Sequence, residues 1–346
     1  MTSLDYPSVS IVLLNYNGQR FAHYWKNLFS LDYPKSRYEI IFVDNGSSDG
    51  SENLFAKASN QSPDVSVRMV KLETNCGYSK ANNLGAEKAK GDYVVLLSND
   101  IRVSRDWLRN AIAVLESDKR IGVAQSMMYM LDDPSKPDKM GNYVDAFGLN
   151  HPFSFSNGIK EVFYSEGAVM FIRRSVLTDT NGLFDETYFM FYEDVDFCWR
   201  VRLMGYKIVV LHNSVVYHKR GGTVSGTLMK MEPLYVFTNT RNRLTTLLKN
   251  YSTSNAIRFI PASVGMELLK GSFLVLSRKV AAGLSCYKGT LSFFSGLRGT
   301  MQRRAVVQGK RRINDKDIMT LMVSTKDASR YAFTNLTKLQ NEWKES

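Results

Sequence analysis

Apolar positions in the first hundred residues fall into short continuous runs separated by polar turns. Val9-Ser10-Ile11-Val12-Leu13-Leu14, Glu39-Ile40-Ile41-Phe42-Val43, Val67 to Leu72 and Tyr93-Val94-Val95-Leu96-Leu97 each have the length and β-branched content of a buried strand. Stretches suited to helices lie between them, one from the Asn15-Tyr16-Asn17-Gly18 turn to about Phe29, another from Ser79 to Ala89, rich in Ala, Lys and Glu. Fully apolar strands alternating with helices predict a parallel sheet covered on both faces, whose ligands bind beyond the carboxyl ends of the strands. Those ends read Asn15-Tyr16-Asn17, Asp44-Asn45-Gly46, Glu73-Thr74-Asn75 and Ser98-Asn99-Asp100. Four polar ends in sequence order predict a nucleotide crevice.

From Ile121 to about Asn242 the texture changes. Short strand patterns (Ile121 to Met130, Ala168 to Ile172, Lys207 to Leu211) surround an aromatic-rich stretch from Phe184 to Asp194. Asp132 to Asn150, with two prolines and several charges, predicts a surface loop. Beyond Arg243 the pattern is helical. The expected fold class is α/β, a mostly parallel sheet with flanking helices, followed by a C-terminal helical extension. The expected division is residues 1–245, comprising a nucleotide-binding half (1–120) and an acceptor half (121–245), and a basic, amphipathic helical region at 246–346.

Composition narrows the class. With 44% hydrophobic and 23% charged residues among 346, the chain has ordinary globular usage, which argues against disorder. Cys76, Cys198 and Cys286 form no paired spacing, so neither a disulfide framework nor a structural zinc site is expected, and a reduced cytoplasmic compartment is. The first residues have no signal-peptide pattern, and no run of ~18 consecutive apolar residues predicts a membrane span. The net charge of +12 is concentrated: Lys249 to Arg312 carries twelve Lys and Arg against Glu267 alone, leaving the remainder nearly neutral.

Five segments carry candidate chemistry: Ser10 to Asn17, Val43-Asp44-Asn45-Gly46-Ser47-Ser48-Asp49-Gly50, Asn75-Cys76-Gly77-Tyr78-Ser79-Lys80-Ala81-Asn82-Asn83, Leu97-Ser98-Asn99-Asp100, and Tyr192-Glu193-Asp194-Val195-Asp196-Phe197-Cys198-Trp199-Arg200. In this order they resemble glycosyltransferase family 2, the inverting, nucleotide-sugar-dependent enzymes of GT-A fold, and within it a rhamnosyltransferase-like branch. The resemblance covers about residues 8 to 245. It implies nucleotide-sugar contacts at Asn15, Tyr16, Asp44, Asn45, Asn75, Gly77, Asn82, Asn99, Gly167, Ala168 and Arg241.

Each assignment has a plainer competitor. Asp44 to Gly50 also reads as a turn and helix N-cap. Ser98-Asn99-Asp100 stands where the family has Asp-x-Asp, so Asp100, with His218 completing the site, is the expected ligand of Mg²⁺ or Mn²⁺ on the donor diphosphate, although Ser98 replaces the first carboxylate. Asp100 equally suits the N-cap of a helix from Arg102 to Leu115, and a lone histidine before Gly221-Gly222 suits a structural role. The resemblance makes Asp194 the general base, with Glu193 and Asp196 as neighbours. Acids there also complement a helix dipole, with Val195, Trp199 and Leu203 as buried face and Gly205 as stop. Arg200 either pairs with one of these acids or reaches a phosphate. Small residues at Gly167-Ala168 would let the sugar approach the backbone, and Arg241-Asn242-Arg243 would close over the diphosphate or form a solvated helix face.

The resulting expectation is a metal-dependent inverting hexosyltransferase acting on a glycan or polyprenyl-linked saccharide, with a dTDP-, UDP- or GDP-linked donor. Residues 249–312 are expected to hold it on an anionic membrane surface, peripherally at the inner face of the cell membrane; packing of that apolar face on the catalytic domain is the alternative. A dehydrogenase lacks its GxGxxG after the first strand. Two further readings stay open: a basic nucleic-acid-binding protein, against which no recognisable module stands, and a family member that has lost catalysis and serves as a binding subunit, which Ser98 permits.

Overall fold

The computed structural model describes residues 6–139, 141–152, 158–219 and 232–324. Strands β1 (Val9–Asn15), β2 (Tyr38–Asp44), β3 (Ser66–Lys71) and β4 (Tyr93–Ser98) form a parallel block in the order β3-β2-β1-β4. Helices α1 (Ala22–Trp25), α2 (Ser51–Asn60) and α3 (Tyr78–Lys88) lie in its connections. Alternate residues serve alternate cores: Ile11, Leu13, Phe42 and Val95 pack with Trp25, Phe55 and Trp107, whereas Val12, Ile41, Val94 and Leu96 pack with Ala81. The helix expected up to Phe29 is instead a series of short 3-10 turns around α1. That winding seats Trp25 in the core with its indole N–H donating to the Asn99 carbonyl at 3.0 Å, directly under the end of β4.

The chain continues through β5 (Ile101–Val103), α4 (Trp107–Ser117), β6 (Ile121–Met130), β7 (Pro137–Lys139), β8 (Asn142–Val144), β9 (Asn150–Pro152), β10 (Ile159–Glu161), β11 (Val169–Arg173), α5 (Arg174–Asp179), α6 (Glu193–Leu203) and β12 (Lys207–His218). Beyond β4 the sheet runs β11-β6-β12-β10, with β11 antiparallel to both neighbours. Two expectations are corrected in part. The helix expected from Arg102 starts only at Trp107, as α4; β5 pairs with the end of β12, so Asp100 precedes a strand and caps no helix. The stretch from Asp132 to Pro137 is largely exposed, as expected of a surface loop, but beyond it Asn142, Val144 and Asp145 are buried, and Asp145 accepts from the Phe147 and Leu149 backbone while facing His151 at 3.0 Å.

The C-terminal extension comprises α7 (Pro233–Asn250), α8 (Thr253–Leu276), α9 (Val280–Ser295), α10 (Leu297–Lys310) and α11 (Asp315–Met319). Residue 245 lies inside α7, and Leu247, Tyr251 and Phe259 join the same core as α6. Several basic residues of this segment are internal ties, whereas Arg258, Lys270, Arg278, Lys288, Arg298, Lys310 and Arg312 are exposed. Lys249 lies 2.7 Å from Asp185 and 2.9 Å from Asp196. Arg303 reaches Asp185 at 2.9 Å, Arg304 donates to the Leu248 and Tyr251 carbonyls, and Arg311 pairs with Asp315.

Candidate active site

The polar strand ends converge into one hydrogen-bonded ridge. The Asn15 amide donates to Asp44 Oδ1 at 2.9 Å and to the Ser51 hydroxyl at 2.8 Å, and Asn99 donates to Asn15 Oδ1 at 2.9 Å. Gly18 permits this: a Cβ there would stand 2.2 Å from Asn15 Oδ1 and 2.4 Å from Asn99 Nδ2. Asn45 donates to Asn75 Oδ1 at 3.0 Å and accepts from the Cys76 N–H at 3.0 Å, while Asn75 accepts from the Gly77 N–H at 2.9 Å. Asp44 and Asn15 are buried, and Tyr16 is exposed beside them. Asp44 to Gly50 does form the expected turn, with Ser47 donating to Asp44 and Gly50 at the N-cap of α2, and Asp44 is at the same time an element of the ridge.

The second constellation forms where β4 meets β11. Ser98 N–H donates to the Ala168 carbonyl at 2.9 Å, Tyr78 donates from its hydroxyl to the Gly167 carbonyl at 2.7 Å, and the Gly167 N–H donates to Asp194 Oδ2 at 3.2 Å. The close approach at Gly167 is therefore that of Tyr78, whose hydroxyl would lie 2.9 Å from an added Cβ. Asp194 itself sits at the start of α6, where Phe191 and Tyr192 both adopt φ of 68°. Two consecutive left-handed non-glycine residues are costly and persist only where tertiary contacts hold them. The Asn242 amide does so, donating to the Met190 carbonyl at 3.0 Å and the Phe191 carbonyl at 2.7 Å.

The carboxylates differ in state. Glu193 is buried, its Oε2 meets no donor among the described residues, and desolvation, reinforced by the charge of Asp194, pushes its pKa well above the usual range. Its charged form is therefore disfavoured, and the more accessible Asp194 lies beside it. Asp196 is wholly internal, bound by Lys249, by Arg200 at 3.1 Å and by the Asn250 amide at 2.9 Å. Nearly all of α6 is buried, not the expected Val195-Trp199-Leu203 stripe alone, because these ion pairs let its charged positions enter the core. Arg200 also binds the Thr180, Gly182 and Leu183 carbonyls, so it is structural and reaches no phosphate.

The pairing of β5 with β12 sets His218 against Ile101, bringing His218 Nε2 to 3.2 Å from Asp100 Oδ2, while Nδ1 faces Asp138 Oδ2 at 2.6 Å. Burial lowers the imidazole pKa, but the two carboxylates outweigh it and raise it to about 9. Among the described residues no three His, Cys, Asp or Glu side chains converge as a complete metal site. Asp100 and His218 are a carboxylate and an imidazole at a spacing that two neighbouring ligands of a divalent ion could adopt (about 3 Å), with Asp138 on the far ring nitrogen. The Gly221-Gly222 pair that follows lies outside the described residues.

Arg241 donates to the Thr187 carbonyl at 2.9 Å and to Asn242 Oδ1 at 2.9 Å, bracing the loop before α6. Arg243 is buried against Glu267 at 2.7 Å and cannot close over a diphosphate. Asn82 is buried with its amide on the Tyr78 carbonyl and its Oδ1 unpartnered among the described residues. Asp138, Tyr78 and Glu166, which accepts from the Asn142 amide at 2.6 Å, escaped sequence reasoning as site residues; Tyr78 and Glu166 adjoin recognised motifs, whereas nothing near Asp138 marks it. A separate hollow of about 730 Å³ lies at the opposite end of the sheet, against Tyr93, Glu116 and Arg173, away from this chemistry.

Comparison with known proteins agrees with this architecture. The family model described as Glycosyl transferase family 2 matches residues 8–179, about half of the chain. The chain is 26% identical over 208 residues to the low-salt glycan biosynthesis hexosyltransferase Agl10 of Haloferax volcanii, covering 58% of this chain and 63% of that protein. It therefore spans less than two thirds of that relative's length. Among solved structures, S. aureus TarS 1–349 in complex with UDP superposes with a TM-score of 0.53 at 19% identity, covering 73% of this chain and 69% of that one. The mannosyltransferase PcManGT from Pyrobaculum calidifontis, in complex with GDP-Man and Mn²⁺, gives 0.54 at 16% identity, covering 84% and 88%. These structural likenesses establish a GT-A-like fold.

Proposed function

Since the chain belongs to glycosyltransferase family 2, we propose that it transfers a hexose from a nucleoside-diphosphate sugar to a hydroxyl of a glycan acceptor, with inversion at the anomeric carbon. The observation that carries this reading is the placement of Asp194 on the N–H of Gly167, next to Ala168, which pairs with Ser98 at the end of β4. Asp194 removes the proton of the acceptor hydroxyl as its oxygen bonds to the anomeric carbon. The carbon–oxygen bond to the diphosphate breaks on the opposite face, and the diphosphate leaves with the electron pair. The ridge of Asn15, Asp44, Asn45, Asn75 and Asn99 provides the donor's base and ribose surface, and exposed Tyr16 is placed to cover the base.

Asp100 and His218 would hold a divalent ion against the diphosphate, where such an ion neutralises leaving-group charge. An imidazole ligand favours Mn²⁺ over Mg²⁺. The donor class extends to dTDP-, UDP- and GDP-hexoses, with dTDP-rhamnose or a UDP-hexose preferred by the rhamnosyltransferase resemblance. The acceptor is read as a lipid-linked saccharide, reached from the inner face of the cell membrane through the extension at 249–312. A donor screen scored by nucleotide release, with Mn²⁺ or Mg²⁺ added, tests the reading. Asp194→Asn is expected to cost ~100-fold or more in turnover while donor affinity is kept, because a base acts in the transition state. Release that survives the substitution undiminished would remove Asp194 from this role.

A further inference from the structure

Helices α8 and α9 form an antiparallel hairpin whose amphipathicity is inverted. Their inner faces carry small and polar residues: Ser263, Glu267 and Gly271 on α8, Gly283, Ser285, Cys286, Gly289 and Thr290 on α9, all buried. A Cβ on Gly283 would stand 2.7 Å from the Gly271 carbonyl, and one on Gly289 would stand 2.8 Å from the Phe237 carbonyl of α7. Phe259, Leu274 and Phe293 are buried among these small and polar residues, whereas most of the other large apolar side chains point outward. Ile257, Leu269, Phe273 and Leu276 are 71, 73, 63 and 83% exposed, and Leu291 is 68% exposed; Leu268, Leu284 and Phe294 extend the same surface. A helix facing water does the reverse, turning its apolar stripe to the core; close packing through small residues with large apolar groups outside is how helices pack in lipid.

Among the described residues every exposed charge on the two helices is basic: Arg258, Lys270 and Lys288. Arg278 adds another at the turn. The acid, Glu267, is buried against Arg243. Helix α8 is, by length and composition, able to cross a membrane, with a mean hydropathy of 1.4 over its apolar window, contrary to the expectation from runs of consecutive apolar residues. One side of it is nevertheless fixed to the catalytic domain through Glu267 and through Phe259, which stacks on Tyr251 at 5.3 Å. A spanning helix would have to release both.

We propose that the outer face of the α8–α9 hairpin lies in the interfacial layer of an anionic bilayer, its apolar side chains among the acyl chains and its Arg and Lys heads at the phosphates. The inference rests on the membrane placement proposed above and changes its basis. Named apolar residues, not the Arg303-to-Arg312 cluster, hold the protein there. Long basic side chains at such a boundary reach the headgroups while their stems stay apolar.

The test uses full-length protein and vesicles of phosphatidylcholine with 30% phosphatidylglycerol, on the order of the anionic content of an inner leaflet. Wild type should co-sediment and remain bound at about 0.5 M NaCl, where exposed charge pairs are screened. The variant Leu269→Ser/Phe273→Ser/Leu276→Ser/Leu291→Ser should bind at least ~10-fold more weakly while its thermal midpoint is kept, since these positions are exposed. Tryptophan at Phe273→Trp should be quenched by lipids brominated on the acyl chain. Binding that salt abolishes, with no quenching, would overturn insertion while leaving membrane placement intact. No binding at low salt would overturn both. A dimer that forms without lipid and is lost in the quadruple variant would assign this face to a second copy and overturn the inference.

Discussion

Two carboxylates adjacent in sequence, Glu193 and Asp194, differ in burial, Glu193 being the more enclosed. Glu193 has a folded pKa raised above its ordinary 4.5 by desolvation, then by Asp194. A group so shifted contributes stability that is full below the unfolded value and is lost as pH rises through the folded one. Glu193→Gln, which cannot ionise, should therefore unfold at the same temperature as wild type near pH 4 and at a higher one near pH 8. Equal midpoints at both values would mean that the side chain ionises freely. If Asp100 and His218 hold the ion as proposed, the proton competes with it: His218, raised to about 9 by Asp100 and Asp138, would have to give up its proton to ligate, so Mn²⁺ affinity should climb with pH toward that value. Asp138→Asn removes the carboxylate that orients the ring and should weaken Mn²⁺ binding about 10- to 100-fold, as titration calorimetry without donor would record.

At the scale of elements, the loop from Phe184 to Tyr192 is the piece that the rest of the site leans on. Its Phe189 carbonyl accepts the Tyr78 N–H at 2.7 Å, and Gly77, with φ of 89°, leaves room for the Phe189 ring, which an added Cβ would approach to 2.6 Å. Asn242→Ala would leave the Met190 and Phe191 carbonyls without their donor and release the left-handed pair before Asp194. Turnover should fall at least ~10-fold through misplacement of the carboxylate, with the donor dissociation constant unchanged; parallel loss of donor affinity would show that the ridge had moved as well. This loop also marks the limit of what a sequence discloses. Strands β1, β2, β4 and β6 were legible because continuous apolar runs have few other uses, and the polar strand ends followed from them. The conformation of Phe191 and Tyr192 was not legible, since neither residue favours positive φ and a side chain fifty positions away imposes it. Strand β5 was hidden because Ile101-Arg102-Val103 is too short for a period to show, and Asp138 because its partner His218 is eighty residues distant.

For the molecule as a whole, a buried charge network joins the catalytic half to the extension. Asp185 would have its carboxyl raised by burial, but Lys249 and Arg303 hold it well below the ordinary range, so the stability it contributes is present above pH 4 and drains away as pH falls further. Lys249→Met strands Asp185 and weakens the hold on Asp196, and should cost about 3–5 kcal/mol in denaturant unfolding, the usual penalty for removing one partner of a buried pair. A loss below about 1 kcal/mol would show that Arg303 and Arg200 suffice.

The same network bears on how such a chain could be altered or inherited. Residues that look in sequence like a detachable basic tail are the counter-ions of the loop that aims Asp194, so extension and catalytic half have to change in concert. A graft that exchanged α7 to α10 for the helices of another transferase would deliver the protein to a new surface only if it also supplied cations equivalent to Lys249 and Arg303, or removed Asp185 with them. Retargeting by substitution is far less constrained, because the outward side chains of α8 and α9 can be rewritten without touching a single salt bridge of the active half. Sites of delivery can therefore diverge quickly among descendants of this protein while the joint between its parts stays locked.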